Sequence, residues 1–375
     1  MKILLAPNSF KESLDPVIIS SILLEYLKNN STTFFCKPLS DGGDGFLKII
    51  EYNYQINDLN NNKIISYSDH IRQYPYIYNE SGRTIYIETA ELFGLKLIEE
   101  SLRNPMIFNS ESLGKMIAEF VKIKLSGKAE IEKIIIGVGG TSTIDAGFGA
   151  CSRLGLKFFA SGNNQLEVIP QNFNDVEKIT FDKVHLPFQI KFIVDIDRQL
   201  IGDPGSIEVY GKQKGGNDYD LARIKNGIIH VLDLLKSGYG YKIPDNLNGS
   251  GGGLAAGFSI FYDSEIIPAS KFIRQEILND INPDEIDLVI SGEGKFDYQS
   301  FEGKGTGVII DLFKNTKCKI VLINGYSELP VNLSLPENLS IINISEFFSS
   351  RKESIKNTEK GIRIAADMIK SQFGL

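Results

Sequence analysis

MKILLAPNSFKESLDPVIISSILLEYLKNNSTTFFCKPLSDGGDGFLKII, residues 1–50, is the stretch that decides the fold. Ile3 to Ala6 is a continuous apolar run between Lys2 and Pro7, which reads as a buried strand. Asp15 can cap a helix, and Pro16 suits a first turn, where a missing N–H does no harm. Ile18, Ile19, Ile22, Leu23 and Tyr26 then recur at helical spacing and predict one apolar stripe. Thr33 to Lys37 reads as a second short strand. The segment LSDGGDGF follows it and leads into another apolar helix, to about Ile50. Parallel strands need a crossover between them, so strand, helix, strand, helix predicts a parallel sheet with helices on its faces.

The same rhythm returns at the other end of the chain. Ile286 to Ile290 reads as a strand, SGEGKFDYQSFEGKG as a loop, and Val308 to Phe313 as a helix. Lys319 to Ile323 and Ile341 to Ile344 are further strands, and Thr358 to Ile369 is a final helix. The middle has a different character. Residues 50–80 are rich in Asn, Tyr and Ile, and Asn79 to Arg83 reads as a hairpin turn before a strand at Thr84 to Ile87. Ile134 to Gly137 and Ile190 to Val194 are strands that run into GGTSTIDAGFG and DIDRQLIGDPG. The two ends therefore predict one α/β domain, and the middle an inserted or appended one, with boundaries near 75 and 260. The length agrees: 375 residues at ~150 per domain make two domains, or three.

Composition excludes several classes of function. A net charge of -7 leaves no basic surplus for general nucleic-acid binding. Cys36, Cys151 and Cys318 are too scattered for a disulfide framework or a structural zinc site. The apolar run after Met1 is too short for a signal peptide, and no stretch is long and apolar enough for a membrane span. A soluble cytoplasmic protein is the expectation.

Four glycine loops stand out: DGGDG (41–45), GVGGTSTIDAG (137–147), GSGGGLAAG (249–257) and SGEGKFD (291–297). Backbone N–H groups at such turns, with a helix dipole behind them, attract anions, and the missing side chain admits phosphate oxygens. Gly139, Gly140, Gly251, Gly252 and Gly292 are the candidate contacts. No Gly-Lys pair is followed by Ser or Thr, so the usual P-loop is absent. Gly251, Gly253 and Ala256 fit a loose dinucleotide pattern but lack a clear preceding strand.

Asp41, Asp195, Asp197, Glu293 and Asp297 follow predicted strands, where parallel sheets place their ligands. Carboxylates there can hold Mg²⁺ or orient an attacking hydroxyl, although turn-forming aspartates look the same in sequence. Lys11, Lys214, Lys295 and Lys304 lie in loops and are candidate point charges for phosphates. His70, His185 and His230 lie outside all four loops and are read as structural.

Taken in order, these segments resemble the glycerate kinases of type 1. APNSFKESL resembles that family's APDSFKGSL, and LSDGGDG (39–45) its ADGGEG segment. GVGGTSTIDAG is similar to GxGGSATNDGG, which puts Thr143 and Asp145 on its Thr and Asp. DIDRQLIG (195–202) resembles DVxNPLxG, YGKQKGG (210–216) resembles FGPQKGA, and GSGGGLAAGF (249–258) resembles GAAGGLGxG. SGEGKFDYQSFEGK (291–304) resembles TGEGxxDxQxxxGK. The chain departs at Asn8, where the family has Asp, and at Arg198 and Gln199, where it has Asn and Pro.

The resemblance implies a discontinuous Rossmann-like parallel-sheet domain (1–75 plus 260–375) and a second, inserted α/β domain (76–259), with the active site in the cleft between them. It implies phosphorylation of D-glycerate by ATP with Mg²⁺, to 2-phosphoglycerate or 3-phosphoglycerate. Asp195, Asp297, Lys11 and Asp41 are then the expected catalytic residues. Thr143 and Lys304 join the five glycines on the nucleotide. Ser9, Lys11 and Lys214 are expected on the substrate, and Asp41, Asp195, Asp197 and Glu293 on the metal. The partners are small molecules, with no nucleic acid or membrane, and a homodimer is left open. A kinase of another small hydroxy acid is the nearest alternative. An NAD-dependent dehydrogenase and a non-enzymatic nucleotide or sugar-phosphate sensor are more distant ones.

Overall fold

The computed structural model describes residues 1–10, 13–57, 62–68, 73–195, 198–301, 305–330 and 332–375. The chain divides into two compact units. The first comprises residues 1–41, 48–57 and 268–375, and the second residues 42–47 and 58–267. The two ends thus share a unit. The strand Asn62–Ser68 lies in the second unit, on the far side of the boundary expected near 75, and so does the start of the helix Phe46–Asn57.

The first unit is built on a five-stranded sheet, ordered Leu339–Asn343, Lys319–Asn324, Leu288–Gly292, Lys2–Pro7, Thr33–Cys36. Every neighbouring pair is parallel, and Ile3 lies opposite Leu288 on one side and Phe34 on the other. Lys2–Pro7 is buried from Ile3 onward because both its edges are paired. The helix Pro16–Leu27 opens as expected: Asp15 accepts from the Val17 N–H, and Pro16 takes the first position. Its buried face runs through Ile19, Ile22, Leu23 and Leu27, while Ile18 turns outward at 47% exposure. Ile18 and Ile19 are consecutive, about 100° apart on a helix, so a narrow face keeps only one of them. Ile362, Ala365 and Ile369 of the helix Thr358–Phe373 complete this core.

The second unit carries a six-stranded mixed sheet, ordered Ser264–Pro268, Gln189–Val194, Lys133–Val138, Thr84–Glu88, Gln73–Asn79, Asn62–Ser68. The three strands from Gln189 to Glu88 in that order run parallel, and the hairpin about Asn79 to Arg83 turns the sheet antiparallel. A small antiparallel sheet of Leu156–Phe159, Gln165–Leu166 and Lys178–Phe181 had no clear sequence signal. Phe148 fastens it to the core through edge-to-face contacts with Phe158 and Phe173. Among the described residues no helix is long and apolar enough to cross a membrane.

Candidate active site

Two strand ends in the second unit deliver the loops that build a candidate site there. Lys133–Val138 runs into Gly139 and Gly140, and Gln189–Val194 runs into Asp195. Gly139, Gly140, Asp195, Lys214, Gly251 and Gly252 all line one cavity of about 130 Å³. Six residues singled out from four separate sequence segments therefore meet around one space. Thr141, Ser206, Tyr210 and Ser250 also line it, with Leu95, Val138, Ile144 and Ile207 forming an apolar wall. None of these eight was anticipated.

The glycines are there because the loops press on one another. A side chain at Gly252, which has φ +72°, would meet the Thr143 carbonyl oxygen at 2.1 Å, and one at Gly139 would meet the Gly43 Cα at 2.6 Å. The loops also satisfy many of their own donors. The N–H groups of Gly249, Ser250, Gly252 and Gly253 bond to Arg198 O, Asn248 Oδ1, Gly249 O and Ser250 O. The loop 137–149 goes further and encloses an anion of its own. The fully buried Asp145 carboxylate accepts from the N–H groups of Ser110, Gly147 and Gly149 and from Ser110 Oγ, at 2.7–3.2 Å. Burial pushes the Asp145 carboxyl up, and those donors oppose the rise.

Lys214 ends the short helical turn Lys212–Lys214, and Gly215 follows at φ +90°, packed against the Arg103 carbonyl. This turn carries the lysine inward, where it is 6% exposed. Its ammonium donates to Thr141 Oγ1 at 3.1 Å and to the Thr143 carbonyl at 2.8 Å. Burial lowers its pKa to about 8, opposed by the charge of Asp145. Thr143 is itself fully buried, and its hydroxyl oxygen has no hydrogen-bond partner.

Arg198 and Gln199, the two departures from the resembling motif, tie this site together through their backbone. The Arg198 carbonyl accepts from Gly249 N–H, and the Gln199 carbonyl from Ser206 N–H. Main-chain bonds of this kind tolerate the change of side chain.

A second cluster went unrecognised. Glu88 ends the strand Thr84–Glu88 and is 2% exposed. Its carboxylate accepts from Gly45 N–H at 3.0 Å and Leu47 N–H at 3.1 Å, pinning the DGGDG loop where a helix begins. Lys96 bridges Glu88, Glu91 and Asp44 at 3.4, 2.5 and 3.2 Å. Glu88 is a carboxylate at a strand end, the same signal that selected Asp195.

In the first unit the candidates gather at the carboxyl ends of the parallel strands. Asn8 N–H bonds to Gly292 O at 2.9 Å, and Ser9 N–H to Asn8 Oδ1 at 2.8 Å. Gly292 stands at φ +145°, where a side chain would strike the Ile323 carbonyl. Glu293 is buried, its N–H bonded to Asn324 Oδ1 at 3.2 Å. Asp41 belongs to this unit as well, in the loop that follows Thr33–Cys36. Asp297 lies on a separate two-stranded sheet, ion-paired at 3.0 Å with Lys295, which also reaches Glu328 at 2.8 Å. Lys11, Asp197 and Lys304 lie outside the described residues. Among the described residues no three His, Cys, Asp or Glu side chains cluster as a metal site.

The family model described as the glycerate kinase family matches residues 3–373. The chain belongs to the glycerate kinase family. Its members are phosphotransferases, so the chain is classed as an enzyme. It is 28% identical over 370 residues to a glycerate kinase of Neisseria meningitidis serogroup B, covering 95% of this chain and 94% of that one. It is 26% identical to the glycerate 2-kinase of Escherichia coli K12, covering 81% and 80%. A crystal structure from Salmonella typhimurium LT2, of a protein provisionally assigned as glycerate kinase 2, superimposes with a TM-score of 0.74 over the whole of both chains. At 22% identity that likeness establishes the two-domain α/β fold alone.

Proposed function

We propose that this protein transfers the γ-phosphoryl group of ATP to the 2-hydroxyl of D-glycerate. The observation that carries the reading is the cavity of the second unit, where a buried lysine and a strand-end aspartate share one small space inside a family-wide match. The name of the Escherichia coli relative favours the 2-hydroxyl. The dehydrogenase alternative loses support, because no strand leads into the glycines at 251–253.

Phosphoryl transfer to an alcohol asks for alignment, charge compensation and a place for one proton. Asp195, on the cavity wall, suits the proton: its carboxylate would accept it from the attacking hydroxyl. The apolar wall would keep out water that competes as acceptor. Mg²⁺ would neutralise charge on the transferring group, and Asp41 and Glu293, each in the first unit, have the hard oxygen donors that it prefers. The protein would act as a small-molecule enzyme, and cytoplasmic residence fits that role.

Coupled ADP release with D-glycerate, L-lactate, glycolate and glycerol tests the reading, and phosphorus NMR of the product tests the hydroxyl. Turnover confined to D-glycerate with a 2-phosphate product is expected. No ADP release with D-glycerate, or a 3-phosphate product, would overturn the corresponding part.

A further inference from the structure

We propose that the Lys214 ammonium is the seat of the substrate's carboxylate, and that nucleotide phosphates do not enter this cavity. The inference rests on the glycerate kinase reading and assigns one subsite within it. An ammonium has three N–H donors. Two of those on Lys214 go to Thr141 Oγ1 and the Thr143 carbonyl, which fixes the nitrogen and leaves the third available. Both acceptors are neutral. Among the described residues no carboxylate lies within 4.0 Å of this nitrogen, so none of them forms an ion pair with the buried charge.

The choice of anion follows from three features. The first is size: about 130 Å³ is well below the ~300 Å³ at which pockets for larger ligands begin, enough for a three-carbon acid and too little for a nucleotide. The second is charge. Among the described residues, Lys214 and Asp195 are the charged ones on the cavity wall, one of each sign, so a monoanion is tolerated where a triphosphate would meet repulsion. The third is the supply of other donors. Four glycine-loop amides beside the cavity already bond within the protein, and the lysine is the one cation among the described residues of its wall. A carboxylate seated on Lys214 leaves the adjacent 2-hydroxyl within the same small space as Asp195. The charge that bears on the lysine's protonation is that of Asp145, and Asp195 and Tyr210 are the other titratable groups among the described residues of the cavity wall. With its pKa lowered by burial, the seat empties of charge as the pH rises above about 8.

The test compares wild type with Lys214→Met and Lys214→Gln, using D-glycerate, uncharged glycerol and ATP as separate variables. A hydrogen-bonded charge contact is worth about 10- to 150-fold in affinity. The KM for D-glycerate is expected to rise by that factor in both variants, with the KM for ATP within twofold and the preference for glycerate over glycerol narrowed. In wild type the KM for D-glycerate, but not for ATP, is expected to rise above pH 8. An unchanged KM for glycerate in the better-folded variant, or a rise confined to ATP, would overturn the proposal and leave the kinase reading standing. If wild type releases no ADP with D-glycerate, the kinase reading fails by itself. Calorimetric titration with D-glycerate then decides the seat: binding weakened in Lys214→Gln supports it, and no binding overturns it.

Discussion

Each unit of this protein buries a lysine, and the two are treated in opposite ways. Lys37, in the first unit, is 7% exposed and meets both carboxylate oxygens of Asp280, at 2.8 and 2.9 Å. Lys214, in the second, is as deeply buried and, among the described residues, meets a hydroxyl and a carbonyl alone. A paired charge is largely neutralised by its own partner. A charge held by neutral dipoles keeps most of its field and stays attractive to any anion that reaches it. The difference separates a lysine that fastens structure from one poised to recognise something.

The largest effect that bears on this contrast concerns chemistry. Asp195→Asn removes the carboxylate that shares the cavity with Lys214 and leaves its shape. Turnover is expected to fall by about a hundredfold or more, at least a few kcal/mol at the transition state, with an unchanged circular dichroism spectrum. Near-wild-type turnover at saturating Mg²⁺ would move the working carboxylate to another strand end, Asp41 and Asp297 being the alternatives.

The next effect is a pH signature of stability. Lys214 has a folded pKa of about 8 against the ordinary lysine value of 10.5, so between those values the unfolded chain binds more protons. Its burial penalty is therefore complete below pH 8 and is lost as the pH rises towards 10.5. The stability of wild type relative to Lys214→Met should rise by up to about 3 kcal/mol across that interval. Urea denaturation of both proteins at about pH 7.5, 9 and 10.5 measures it, because other titrating groups cancel in the difference. A flat difference would mean that the two buried lysines are not in unlike settings.

Asp280→Asn would make Lys37 resemble Lys214. Breaking a fully buried pair costs about 3–5 kcal/mol, but Asp280 is half exposed, so a loss of about 1–2 kcal/mol is expected from the denaturation midpoint. The smallest effect belongs to Thr143→Val. Its buried hydroxyl oxygen has no partner, so removing it should change stability by less than about 0.5 kcal/mol or raise it. A clear destabilisation would mean that the hydroxyl supports the seat of Lys214.

The sequence was legible where its signals were local. Alternating strand and helix identified the first unit, and Ile3 to Ala6 needed only its apolar run to declare burial. Strand ends led to Asp195, and glycine spacing to the loops around it. What escaped was whatever depends on distant partners. The resemblance put Lys214 on the substrate, but nothing in the composition of YGKQKGG says that this lysine is buried, or that Gly215 beside it packs on Arg103. Asp145 looked like one more loop aspartate until Ser110, 35 residues away, supplied two of its donors. Glu88 was missed for a plainer reason: it directly follows the strand expected at Thr84 to Ile87, and the rule that found Asp195 was not applied there.

The pairing of Ile3 with Leu288 has a consequence for synthesis. On the ribosome, Lys2–Pro7 emerges long before Leu288–Gly292, finds Thr33–Cys36 early, and then waits for the residues between to be made before its other edge is covered. The second unit can fold in the interval, since it is complete by residue 267. During that time an apolar strand presents unpaired backbone to whatever is nearby, which is the condition in which chains stick to one another. The nascent chain is therefore vulnerable at this early strand, and slow or interrupted translation from Pro268 onward would prolong that exposure.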